Sequence, residues 1–412
     1  MSGIHVTSEI GKLKKVCLHR PGHELELLTP NTLEELLFDD IPFLEVAQAE
    51  HDEFADILRG EGTEVVYLED LMAEVLDSDA SLKEQFLNQY IAEASIATPA
   101  LEKVAYDYLM AISDNKEFVM KAMAGLTRKE LGVEGDPTSL AGKVGVYDRS
   151  ESALVINPMP NLYFTRDPFA TIGEGVSVNR MYAETRNRET LFGQYIFDYH
   201  PEYKGTNQYF DRKAPSHIEG GDILNINDHT LAIGISQRTL PDAIDIIAKN
   251  LFWNSDSKID TVLAINIPNN RSMMHLDTVF TQIDYDKFTV HPGIFCVLQV
   301  FELTRGAQEG EVKITELNDT LENILSEYVG TKVSLIPCAG GDVIASEREQ
   351  WNDGSNTLAT APGSIVVYSR NTVTNELLDK KGLNLKVMSS AELSRGRGGP
   401  RCMSMPFVRE DI

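Results

Sequence analysis

Cysteine is scarce. Four residues, Cys17, Cys296, Cys338 and Cys402, stand far apart in 412 and form no Cys-x-x-Cys pair. That spacing argues against a disulfide framework or a zinc ribbon and predicts a reducing, cytoplasmic setting. Basic residues are also few: 37 Lys and Arg face 63 Asp and Glu, a net charge of -26. Such a surface repels phosphate, so neither a nucleic acid nor an anionic membrane is expected as a partner, whereas a cationic ligand suits it. No apolar run approaches the length of a membrane span, and Met1 to Lys15 lacks the apolar core of a signal peptide. The chain also lacks the glycine fingerprint of a dinucleotide fold and any His-Glu-x-x-His pair. Between Leu71 and Leu131 there is one proline, Pro99, and one glycine, Gly125. Breakers this rare, among many Ala, Leu, Glu, Lys and Met residues, predict several packed helices. Phe86, Tyr90, Ile91, Leu101, Tyr106, Leu109, Met110, Phe118, Met120 and Met123 form their core in this reading.

Elsewhere the texture is mixed, and the 42% hydrophobic content is enough for a sizeable core. Val16-Cys-Leu18 reads as a short buried strand, residues 43–60 as a helix and 64–68 as a strand. Beyond Ser152 the predicted strands are 153–157, 222–226, 230–235, 260–265, 293–300, 332–336 and 364–368. The predicted helices are 188–197, 240–250 and 317–328. Glu219-Gly-Gly-Asp-Ile223 is echoed by Ala339-Gly-Gly-Asp-Val343, which suggests modules repeated at a long period.

Chemistry concentrates in a few loops. Ser394-Arg-Gly-Arg-Gly-Gly-Pro-Arg-Cys-Met-Ser-Met-Pro406 surrounds Cys402 with glycines, which permit close approach to a ligand. Arg395, Arg397 and Arg401 are expected to favour its thiolate, making Cys402 a candidate nucleophile. The apolar run after it should pack back into the body as a strand. Asn161-Leu-Tyr-Phe-Thr-Arg-Asp-Pro168 crowds Asn161, Arg166 and Asp167 into one loop, where a turn role for Asp167 fits the pattern equally well. His217-Ile-Glu-Gly-Gly-Asp222 puts His217 and Glu219 on one side of an extended segment, with no third metal ligand at the usual spacing. His275-Leu-Asp277 has the same offset, and histidine is the commonest acid/base group at neutral pH. One cysteine, one histidine and several carboxylates exceed what a peptide hydrolase needs. They suit a planar cation with forked donors, a guanidinium.

With these motifs, and with Glu35-Leu-Leu-Phe-Asp-Asp40 and Arg348-Glu-Gln-Trp-Asn-Asp-Gly354, the chain resembles the arginine deiminases of the guanidine-modifying, or pentein, superfamily, nearly end to end. The resemblance implies a five-bladed α/β propeller, one domain over 1–412, with a helical-bundle insert over 71–148. It implies hydrolysis of L-arginine to L-citrulline and ammonia, the first step of the arginine deiminase pathway, with no metal or organic cofactor. Cys402 matches the nucleophile, His275 the general acid/base and Glu219 the carboxylate beside it. Asp167 and Asp277 match the pair that grips the guanidinium. Arg186 and Arg238 fall where the α-carboxylate is bound, and Asn161 where the α-amino group is bound. Phe164 and Leu37 line the pocket, Asp222 is a further pocket carboxylate, and Arg397 lies in a covering loop. The family also implies a homo-oligomer. An amidinotransferase, an agmatine deiminase and a non-catalytic binding propeller are the competing readings. Cys402 and His275 weigh against the last, and Arg186 and Arg238 against an agmatine enzyme.

Overall fold

A computed structural model describes residues 3–133, 140–144, 153–296 and 298–412. One pattern recurs through it. β1 (Leu13–Leu18) leads through a helix, Leu44–Gly60, to β2 (Glu64–Tyr67), which lies parallel to it. After β3 (Leu126–Thr127) and β4 (Leu154–Ile156), the next unit runs β5 (Phe169–Ile172), β6 (Gly175–Val178), helix Thr190–Tyr199 and β7 (Asn207–Phe210). Its first two strands are antiparallel and its last two parallel. The same order governs β8 (Ile223–Asn225), β9 (Thr230–Ile235) and β10 (Thr261–Asn266), joined across helix Pro241–Trp253. It governs β11 (Phe280–Asp284), β12 (Lys287–Val290) and β15 (Ser334–Pro337), with a hairpin of β13 (Gln299–Arg305) and β14 (Val312–Leu317) inserted. It returns in β16 (Leu358–Ala361), β17 (Ser364–Tyr368) and β18 (Asn384–Met388), across helix Thr372–Lys380. The last strand, β19 (Met405–Arg409), completes the first unit by pairing antiparallel with β1, Cys17 opposite Met405. Five β-β-α-β units therefore share one topology, in agreement with the repetition the resemblance implied. Strands covered on both faces read as continuous apolar runs, as Ser-Ile-Val-Val-Tyr of β17 does.

The helix-rich stretch breaks where capping chemistry directs it. Asp79 accepts from Ser81 N to start helix Ala80–Ala92. Thr98, followed by Pro99 in the first turn, starts Pro99–Met110, and Asp114 starts Asn115–Ala124. Phe86, Tyr90, Leu109, Phe118 and Met123 are fully buried there, as expected. Residues 134–139 and 145–148 of the expected insert lie outside the described residues, as does residue 297 of the strand expected over 293–300. That strand is also displaced: Pro292–Cys296 is a 3-10 turn and the strand is Gln299–Arg305. Among the described residues, no helix is long and apolar enough to cross a membrane.

Candidate active site

The candidate residues share one position in the repeat. Asp167 lies two residues before β5, Glu219 and Asp222 just before β8, His275 and Asp277 just before β11, and Cys402 three before β19. The loop leading into the first strand of each unit thus faces a common centre. The fifth such loop, before β16, supplies Asn356, whose side-chain Oδ1 accepts from Cys402 N at 3.1 Å and whose Nδ2 donates to Asp277 O at 3.1 Å. A cavity is lined by Leu37, Asn161, Phe164, Asp167, Arg186, Arg238, Arg271, Met274, His275, Gly396, Arg397 and Cys402.

Around it the polar groups are largely paired. His275 Nε2 lies 2.8 Å from Glu219 Oε2, and His275 Nδ1 lies 3.8 Å from Asp167 Oδ1. The Cys402 thiol points at Asp277 Oδ2, 3.6 Å away, an oxygen that also accepts from Arg401 Nη1 at 2.7 Å. Asp167 Oδ2 accepts from Arg186 Nη1 at 2.9 Å. The other oxygens, Asp167 Oδ1 and Asp277 Oδ1, are buried without a hydrogen-bond partner. So are Nε and Nη1 of both Arg238 and Arg397. A buried polar atom without a partner is costly unless a ligand satisfies it. Gly221 makes room for the histidine: a Cβ there would meet His275 Nδ1 at 2.5 Å.

Electrostatics sets the resting protonation. Burial alone opposes a charge on His275, but the Asp167 charge and the Glu219 hydrogen bond overcome it and lift its pKa to about 9. Glu219 stays ionised well below the usual range, because Arg238 and His275 outweigh its burial. Burial pushes the Cys402 thiol well up, and Asp277, Asp167 and Asp353 push it further. This overturns the expectation that flanking arginines favour the thiolate. Arg395 is turned outward to Asp40 and Glu392. Arg397 stacks over the Trp351 ring at 3.5 Å, and Arg401 is neutralised by Glu9 and Asp277. The histidine is charged and the thiol is neutral.

Three further placements differ from the sequence reading. Arg186 reaches the cavity with its donors committed to Glu189 and Asp167, whereas Arg238 arrives with free donors. Asp222 does not line the cavity. Its oxygens accept from Ser236, Thr239 and Leu276 N, so it fixes the turn that carries His275, and burial raises its pKa to about 6. His217 does not join Glu219; its Nδ1 faces Arg238 O at 2.7 Å. Glu9, Asn356, Asp353, Arg271 and Met274 were missed. Asp353 and the segment before Asn356 belong to the Arg348–Gly354 motif, but nothing local marks Glu9. Donor atoms of Asp167, Glu219 and His275 lie within 4.8 Å of one another, a spacing that could hold a metal ion. Arg186 and Arg238 stand within 4 Å of the Glu219 carboxylate and already supply positive charge there.

Comparison with known proteins bears on this geometry. The family model described as arginine deiminase matches residues 34–409. An arginine deiminase of Treponema denticola is 60% identical over the whole of both chains, and one of Clostridium perfringens is 52% identical over 99% of this chain and 98% of its own. Among solved structures, an amidinotransferase of Microseira wollei aligns with a TM-score of 0.56 at 14% identity, over 100% of this chain and 98% of its own. A dimethylarginine dimethylaminohydrolase aligns with 0.51 at 14%, over 96% of this chain and 100% of its own. At such identity these two speak for the fold alone. The family match and the relatives agree with the motifs and the converging loops: the chain belongs to the arginine deiminase family.

Proposed function

We propose that this chain hydrolyses L-arginine to L-citrulline and ammonia through a covalent intermediate on Cys402, as the first step of the arginine deiminase pathway of arginine catabolism. One observation carries the reading. Two buried carboxylates, Asp167 and Asp277, each keep one oxygen without a partner beside the Cys402 thiol. A guanidinium offers parallel pairs of N–H donors on its edges, and two such oxygens hold it in a plane. Arg238, with unpaired donors, binds the α-carboxylate. Arg186 lines the cavity and holds Asp167 in place. Asn161 receives the α-amino group, with Leu37 and Phe164 against the aliphatic stem and Arg397 over the mouth.

The chemistry follows from the protonation states. The incoming cation offsets the Asp167 and Asp277 charges that disfavour a thiolate, so Cys402 releases its proton to solvent as arginine binds. The thiolate attacks the guanidinium carbon. Orientation of this kind can supply about 7–11 kcal/mol in the best cases. The charged His275 gives its proton to one terminal nitrogen, the C–N bond breaks, and ammonia leaves. A thiouronium remains on Cys402. His275, now neutral, takes a proton from water. The hydroxide adds to the same carbon, and as the C–S bond breaks the new hydroxyl gives its proton to the departing sulfur, which regenerates the Cys402 thiol and releases citrulline. Glu219 holds the ring in place throughout and favours its return to the charged form.

Mass spectrometry of enzyme quenched with arginine should find the adduct on the peptide containing Cys402. Cys402→Ala should fold, form no adduct and release no ammonia. Ammonia release by that variant would refute the nucleophile assignment.

A further inference from the structure

Glu9 lies in the segment before β1, and no motif draws attention to it. It is nevertheless buried. Its Oε2 accepts from Arg401 Nε at 3.0 Å and its Oε1 from Arg401 Nη2 at 3.1 Å, across 392 residues of sequence. Oε1 also accepts from Asn225 N at 3.0 Å. The forked edge of Arg401 is thereby filled. Nη2 also donates to Ile223 O at 2.8 Å, and Nη1 reaches Asp277 Oδ2 end-on at 2.7 Å. Arg166 holds the same segment from the second unit, its backbone N donating to Cys402 O at 3.1 Å and its Nε to Arg401 O at 3.3 Å.

The geometry of this contact matters. An arginine beside a carboxylate favours the bidentate arrangement, two N–H groups on two oxygens. Here Arg401 gives that arrangement to Glu9 and only one N–H to Asp277. The second Asp277 oxygen is left unpaired in a buried site. Were the Glu9 charge removed, the Nε–Nη2 edge would lose its partner. The nearest remaining carboxylate would be Asp277, and Arg401 would compete with the substrate for it.

We propose that Glu9 is a positioning residue for the reaction: by holding the forked edge of Arg401, it keeps one oxygen of Asp277 open to the guanidinium. This rests on the reading of Asp277 as a carboxylate that grips the substrate. Glu9 acts on binding and not on proton transfer, so its loss should be felt in KM.

The test is a double-mutant cycle on the full chain, with folding checked by circular dichroism. Glu9→Gln should raise KM for arginine about tenfold while kcat stays within about threefold. In an Arg401→Met background, Glu9→Gln should change KM no further. An unchanged KM in folded Glu9→Gln would overturn the proposal, and so would an equal effect with and without Arg401. If Glu9→Gln does not fold, Glu9→Asp keeps the charge on a shorter arm; a raised KM supports the proposal and an unchanged one overturns it. Asp277→Asn separates the two layers. A folded Asp277→Asn with unaltered KM would refute the guanidinium reading itself, whereas a raised KM there with an unchanged Glu9→Gln would refute only the role of Glu9.

Discussion

The smallest unit with a consequence is the pair His275 and Glu219. The imidazole is buried, which on its own favours the neutral ring. Asp167 and Glu219 reverse that and hold the proton to about pH 9. In the proposed reaction His275 must start charged, so activity in the free enzyme is present below this pKa and falls as pH rises through it. Glu219→Gln keeps a hydrogen-bonding oxygen but removes the charge that helps to raise the pKa. The imidazolium then becomes easier to deprotonate, and the alkaline limb of kcat/KM should move to lower pH, by about one unit. A pH series of kcat/KM for the two proteins checks this. A limb that stays in place would mean another group sets it. At this scale the sequence was only partly legible. Cys402, His275, Glu219, Asp167 and Asp277 stand in conspicuous loops and do converge. The charge state of Cys402 was misread, because burial and the charges of Asp277, Asp167 and Asp353 raise its pKa, while Arg401 is neutralised by Asp277 and by Glu9, near the other end of the chain. Neighbours in sequence say little about electrostatics when the true partners arrive from other units.

At the scale of loops and strands, the two Gly-Gly-Asp sequences look alike and behave differently. Gly340 and Gly341 have φ of +67° and +84° and open space around the Cβ position, so they serve a left-handed turn. Asp342 then caps helix Val343–Trp351. Gly220 and Gly221 are absent from the positive-φ set and serve close packing instead. A Cβ at Gly220 would meet Arg166 O at 1.9 Å, and one at Gly221 would strike His275. Glu219–Ile223 leads directly into strand β8, whereas Ala339–Val343 leads into helix Val343–Trp351, so the echo does not mark equivalent places in the repeat. The short strands were hidden for a related reason. β5 and β6 are four residues each and wholly buried, so they carry no alternation to read. Gly221→Ala should therefore displace the His275 ring without unfolding the protein. A shift near 1 Å can cost about a hundredfold, and kcat should fall by that order while the melting temperature changes little. Wild-type kcat in a folded Gly221→Ala would show that the ring has slack and that the contact is not limiting.

For the molecule as a whole, the question is whether the helix-rich stretch is a separate body. Its helices were legible from the scarcity of glycine and proline, but its attachment was not. Phe86 sits 5.6 Å from Phe192 and 5.2 Å from Tyr195, ring to ring, both on the helix of the second unit. Arg188 lies over Tyr90 at 5.2 Å, and Arg212 reaches back to Glu93. One continuous apolar cluster includes Leu71, Phe86, Phe118 and Met123 together with Phe169, Ile196, Ile233 and Phe407. A stretch that shares its core in this way cannot expose it without opening the units beneath. β19 adds a second tie, because the strand that follows Cys402 closes the first unit against β1. We therefore expect the helices and the strand units to unfold together. The only two tryptophans, Trp253 and Trp351, lie outside the helical stretch, so their fluorescence reports the units, while far-UV circular dichroism is weighted towards helix. In a denaturant titration the two signals should share one midpoint. If the dichroism is lost at clearly lower denaturant than the fluorescence, the helical stretch melts alone, and the shared core does not couple it to the rest.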